Sequence, residues 1–105
     1  MSSGAPTVEL DGSILRVVGE VDVDSVVILR NRGEQLMSAA PGPLTVDLSG
    51  LVTAHSAVLS MLLCWHRLAL KNQTALTFDG ASERLLSLAS LSNLQDQIPG
   101  FASHS

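Results

Sequence analysis

Residues 44–71, LTVDLSGLVTAHSAVLSMLLCWHRLALK, decide the fold because their hydrophobic period changes partway along. Residues 44–48 read as a buried strand, short and rich in Leu and Val. A loop runs from Ser49 to about His55. Residues 56–71 then repeat apolar positions at helical spacing. Upstream, Pro41-Gly42-Pro43 closes whatever precedes the strand, since proline cannot continue a helix.

The same two periods recur on either side. Thr7-Val8-Glu9-Leu10 and residues 13–19, joined through Asp11-Gly12, read as a β-hairpin. Asp24 is placed to cap a helix over residues 25–40, in which Val26, Leu29, Gly33, Leu36 and Ala40 recur at three- and four-residue steps. Beyond residue 71, Thr74-Ala75-Leu76-Thr77-Phe78 gives another strand, ended by Asp79-Gly80. Ser82 can cap a third helix carrying Leu85, Leu88 and Leu91 on one face. The order ββαβαβα predicts one α/β domain over residues 1–105: a mixed sheet of about four strands with helices packed on it. Its core spans about residues 7–100, and residues 101–105 form a frayed tail.

Composition narrows the function. Of the 105 residues 46% are hydrophobic and only 15% charged, against about 25% charged in an ordinary soluble domain. Apolar content this high excludes a disordered chain. The net charge of −4 argues against a nucleic-acid binder, which carries a basic stripe. The N-terminus shows no basic region followed by an apolar one, no run approaches a membrane span, and Cys64 is the single cysteine. These features predict a cytoplasmic protein that reaches a membrane only through a partner.

Catalytic signals are weak. Neither GxxxxGK[ST] nor GxGxxG occurs. Cys64 and His66 diverge by about 200° on a helix, so they make no metal pair. His55 beside Ser56 is no nucleophile–base pair, because triads assemble from distant segments. Asp22 and Asp24 flank a helix start, where acidic residues serve the helix itself. The expectation is a non-enzymatic protein with no cofactor and no metal.

The helix over residues 56–71 is more informative. On a wheel, Ser56, Ser60, Arg67 and Lys71 share a polar strip of about 60°, while apolar residues and His66 fill an arc of about 220°. A helix lying on a sheet needs an apolar stripe only a little wider than 100°. Either neighbouring helices bury the excess, or one edge is a docking surface with Met61, Trp65 and Leu68 its best candidates. His66, inside the arc, reads as a satisfied core histidine. Ser56 reads as an N-cap or first-turn residue, or as an exposed hydroxyl where a phosphate would be electrostatically welcome.

Three motifs carry a resemblance. Val17-Val18-Gly19-Glu20-Val21-Asp22, Val46-Asp47-Leu48-Ser49-Gly50-Leu51, and His55-Ser56-Ala57-Val58-Leu59 with Leu62-Leu63 resemble, in order and spacing, the STAS domain patterns GELD, DLSxV and D[ST]xGLxxLL. The resemblance covers about residues 8–100. It implies a non-enzymatic interaction domain of one of two kinds. One is an anti-sigma-factor antagonist, with Ser56 the residue phosphorylated by a partner anti-sigma factor kinase. The other is the MlaB-like accessory subunit of an ABC transporter that maintains outer-membrane lipid asymmetry, docked on the ATPase subunit. The stretch Leu88-Ala89-Ser90-Leu91-Ser92-Asn93-Leu94 is more similar to the transporter branch. His55 stands where the family has Asp, removing a charge and a capping acceptor, and Val58 stands where it has Gly. Both departures favour constitutive docking over a phosphoswitch. The implied partner-binding residues are Thr53, His55, Ser56, Ser60, Met61, Trp65 and Leu68.

Overall fold

The structure, a computed structural model, describes residues 6–40, 42–52, 55–94 and 97–98. Strands β1 (Thr7–Asp11) and β2 (Ile14–Gly19) form the expected hairpin, with Asp11 opposite Ile14 and Gly12 in the turn at φ +62. A glycine takes that conformation without the steric cost other residues meet. There follow α1 (Val23–Ala39), β3 (Leu44–Leu51), α2 (Ser56–Lys71), β4 (Leu76–Asp79) and α3 (Glu83–Leu91). The sheet runs β1-β2-β3-β4, antiparallel at β1/β2 and parallel at β2/β3 and β3/β4. Each parallel join needs a crossover, and α1 and α2 supply them. Because both helices return against the strands, they run in the same direction, side by side.

The strands alternate as a one-sided sheet should. Val8, Leu15, Val17, Val46, Leu48, Leu76 and Phe78 point inward and are buried with the helices in one core. Thr7, Glu9, Asp11, Ile14, Arg16, Val18, Thr45, Asp47, Thr77 and Asp79 occupy the other face, exposed or half-buried. Among the described residues no helix is long and apolar enough to cross a membrane.

Local chemistry moves several boundaries. The first helix is capped by Asp22, not Asp24: the Asp22 carboxylate accepts from Ser25 N at 2.8 Å, while Ser25 Oγ accepts from Asp22 N at 2.9 Å. Such a reciprocal box satisfies two otherwise unpaired amides. Strand β3 continues past residue 48, because after a register shift Gly50 and Leu51 still pair with Val18 and Gly19. Strand β4 starts only at Leu76, because Thr74 is held by the end of α2, both its amide and hydroxyl donating to the Ala69 carbonyl. On α3, Ala89 rather than Leu91 joins Leu85 in the core, and Leu91 is 83% exposed. Six residues at 100° each carry position 91 well off the Leu85 face.

Burial accounts for most of the wide apolar arc of α2, although Leu70 within it is left 62% exposed. Met61 and Trp65 are 1% and 0% exposed, so they form no open docking edge. The reason lies on α1. Gly33 has no side chain, and a Cβ there would overlap the Trp65 ring. The indole therefore seats directly on the α1 backbone, and Trp65 Nε1 donates to the Arg30 carbonyl at 3.1 Å. Met37, which the three- and four-residue series on α1 omits, is buried with Leu29 and Gly33.

Candidate functional site

The site is set by how the chain leaves β3 and enters α2. Asp47 Oδ1 accepts from Ser49 N at 2.9 Å and from Ser49 Oγ at 2.7 Å, and Arg16 Nε donates to Asp47 Oδ2 at 3.4 Å. The Ser49 amide and then its hydroxyl hold the Asp47 carboxyl below the ordinary carboxylate value against the opposing effect of burial, with Arg16 adding to them. Gly80 packs onto this clamp at φ +78, and a Cβ there would lie 2.9 Å from Ser49 N. The Asp47-Leu48-Ser49 triplet thus braces β3 beside the register shift between Arg16 and Val18, just before the strand's last pairs at Gly50 and Leu51.

Thr53 lies outside the described residues. His55 is the N-cap of α2, and its Nδ1 accepts from Ala57 N at 3.1 Å. Replacing an aspartate here does not remove the capping acceptor, contrary to expectation; an imidazole nitrogen without a proton performs the same task. Ser56 is accordingly not the cap. It is the first helical residue, exposed, with Ser60 exposed one turn later. Val58 is fully buried in the core. Buried there, it contributes volume to the core and no docking surface.

Between the first halves of the two helices, Val26, Val27 and Arg30 of α1 face Ala57, Ser60 and Cys64 of α2 across a groove of about 180 Å³. Met61 lines it as well, although almost no solvent reaches its side chain. Trp65 on Gly33 closes the groove at the waist where the helices touch. Leu68 lies beyond the waist, half-buried, in a separate shallow depression with Glu34, Gln35 and Ser38. The structure therefore brings Ser60 and Met61 together in the groove, buries Trp65 between the helices, and sets Leu68 apart.

Arg30 deserves a place in the site that its sequence position did not announce. Its carbonyl is tied to Trp65, its Nε is enclosed without a hydrogen-bond partner, and Glu34 Oε2 stands 3.8 Å away. The available signal was the spacing of Val23, Val26, Val27 and Arg30, which shares one helical face but mixes exposed and half-buried residues. His66 departs from the satisfied core histidine expected of it. It is half-buried, and its enclosed Nδ1 has no hydrogen-bond partner among the described residues.

Among the described residues no group of His, Cys, Asp or Glu could hold a metal. A family model described as "Mlab, STAS domain" matches residues 5–100. The chain belongs to the STAS domain family. Among solved structures it is similar to the anti-sigma factor antagonist SpoIIAA in its unphosphorylated form, with a TM-score of 0.70 and 16% sequence identity over 90% of this chain and 85% of that one. At that identity the likeness concerns the fold. No curated protein matches the chain in sequence. STAS domains are protein-interaction modules, and both the β3 clamp and the exposed start of α2 fall on the motifs that mark the family.

Proposed function

We propose that this STAS domain is an MlaB-like accessory subunit, docked on the cytoplasmic ATPase subunit of an ABC transporter that maintains outer-membrane lipid asymmetry. It performs no chemistry itself. The docking face is the start of α2, His55, Ser56 and Ser60, together with the groove that adjoins it. The observation that carries this reading is the match to the family model bearing the Mlab description across residues 5–100. The cap supports it: His55 holds the helix start without adding a carboxylate beside Ser56. The complex is tested by co-expression with the ATPase subunit of such a transporter and size-exclusion chromatography. Co-elution and raised ATPase activity are expected, with Ser56→Arg losing both; wild-type affinity in that variant removes the proposed face.

A second reading rests on one observation, the exposed hydroxyl of Ser56 at the N-terminus of α2, whose first turn carries no acidic residue. A phosphate there is favoured by the helix dipole. On this reading the domain is an anti-sigma-factor antagonist, and a Ser56 phosphopeptide in cells together with an anti-sigma factor complex abolished by Ser56→Asp would establish it.

A further inference from the structure

The three helices are started by different chemistry. At α1, Asp22 caps and Asp24 adds an acid in the first turn; at α3, Ser82 caps and Glu83 follows it. A carboxylate or a hydroxyl keeps its acceptor across the neutral pH range. At α2 the acceptor is Nδ1 of His55, and the first turn holds no acidic residue. Histidine is the side chain that changes charge between about pH 5 and 8. Among the described residues, α2 is thus the helix whose start is held by a group of that kind.

The hydrogen bond fixes what protonation does. Nδ1 accepts from Ala57 N at 3.1 Å, so the neutral ring carries its hydrogen on Nε2. An added proton goes to Nδ1 and turns the acceptor into a donor. Ala57 lies in the first turn, whose amides have no partner within the helix, so its N–H is left unpaired. The cation also stands at the positive end of the helix dipole, an effect of the same sign.

Nearby charge does not cancel the loss. Two connections lie beside this end of β3: Val52 N donates to the Gly19 carbonyl, and Gly80 packs on Ser49. They bring Glu20, Asp22 and Asp24 from the α1 side, and Asp79, Glu83 and Arg84 from the α3 side. Asp22 is engaged with Ser25 N, Asp79 with Gly80 N, and Asp47 of β3 with Ser49. Among the described residues no carboxylate comes within ion-pair distance of His55. Carboxylates farther off favour the imidazolium through screened solvent, but none returns the acceptor that it lacks.

We infer that the start of α2 is a pH-sensitive element: protonation of His55 breaks its bond to the Ala57 amide and loosens the first turn, Ser56 included. Where that turn docks a partner, acidification weakens the complex. This consequence rests on the docking face proposed above; the switch itself does not.

The test compares the full chain with His55→Asn, whose side chain can accept the same bond and does not titrate. His66 and His104 are common to both chains, so the difference between the two isolates His55. Nitrogen NMR at pH 8 should show the neutral His55 ring with its proton on Nε2. Between pH 8 and pH 5 the Ala57 amide resonance should move with the ring in the native chain and hold still in His55→Asn. Over that range the Tm of the native chain should fall by about 4–8 °C relative to the variant, as loss of one N-cap implies. A proton on Nδ1 at pH 8, an Ala57 amide indifferent to the ring, or a Tm gap constant with pH overturns the inference. A bound ATPase subunit should lose affinity for the native chain several-fold more than for His55→Asn between pH 8 and pH 5.5; equal losses overturn the docking consequence. An ATPase that binds neither chain at any pH, beside NMR and Tm results as stated, defeats the transporter reading alone.

Discussion

The outer face of the sheet and the groove side of the helix layer are both open to solvent, yet they differ in how completely their polar groups are answered. On the sheet, Glu9, Arg16, Asp47 and Asp79 stand in register across all four strands. Arg16 reaches Asp11 at 3.8 Å and Asp47 at 3.4 Å, Asp47 holds Ser49, and Thr45 and Thr77 share a hydrogen bond at 3.3 Å. On the helix layer, Arg30 Nε has only Glu34 Oε2 at 3.8 Å and no hydrogen bond, Val23, Val27 and Ile28 are at least half exposed, and a groove lies open beside them. Exposure alone therefore does not distinguish a binding face. The distinction is that one face links its side chains by hydrogen bonds across the strands, whereas the other leaves an apolar space unfilled beside exposed Val and Ile side chains.

The contrast depends on the helix layer being held rigidly at its waist, and the largest effects should come from there. Trp65→Ala removes a fully buried indole and its hydrogen bond to Arg30. It should cost about 3–5 kcal/mol in urea unfolding followed by circular dichroism. Gly33→Ala forces a methyl into the Trp65 ring and should cost about 1–3 kcal/mol by the same measurement. A change below about 0.5 kcal/mol would mean that the helices separate freely and that the groove has no fixed shape.

The sheet face should respond to pH rather than to packing. Asp47 titrates below its ordinary value of 3.8, so its contribution to stability is complete above that value and is lost as the pH falls through the lowered one. The Tm gap between the native chain and Asp47→Asn should be widest near neutrality and should close only as the pH falls below the ordinary value through the lowered one. A gap independent of pH would mean that the clamp works without charge. The smallest effect is expected for Asp79→Lys. Asp47 and Asp79 are paired directly across β3 and β4, and replacing a like-charge pair with an opposite one should raise stability by about 0.2–1 kcal/mol. Partner affinity should be unchanged in that variant; a loss would give the sheet face a docking role and erase the distinction drawn above.

Much of the fold was legible because period and punctuation agreed. Asp11-Gly12 marked the hairpin, Ser82 the start of the last helix, and the β-to-α alternation the parallel sheet. The boundaries that moved did so for reasons outside local pattern. Thr74 was claimed by the carbonyl of Ala69, and Gly50 was drawn into β3 by β2. The site was legible in part. Ser56 and Ser60 are exposed as the polar strip implied, but a helical wheel treats a helix in isolation. It could not show that the missing side chain of Gly33 would let α1 cover Met61 and Trp65. Arg30 was only faintly legible for a related reason: its spacing with Val23, Val26 and Val27 marks a shared helical face, but its place opposite Ser60 and Cys64 across the groove is a tertiary relation.

The strands lie in space in the order in which they occur along the chain, β1-β2-β3-β4. Each strand emerging from the ribosome therefore adds to an edge that already exists, and no later strand has to be threaded between two earlier ones. The hairpin can form within microseconds of release, while synthesis proceeds at about 5–20 residues per second. Every newly made strand then meets a template that had ample time to form. Growth from one edge to the other lets this domain assemble vectorially during translation, in the same sequence as its synthesis.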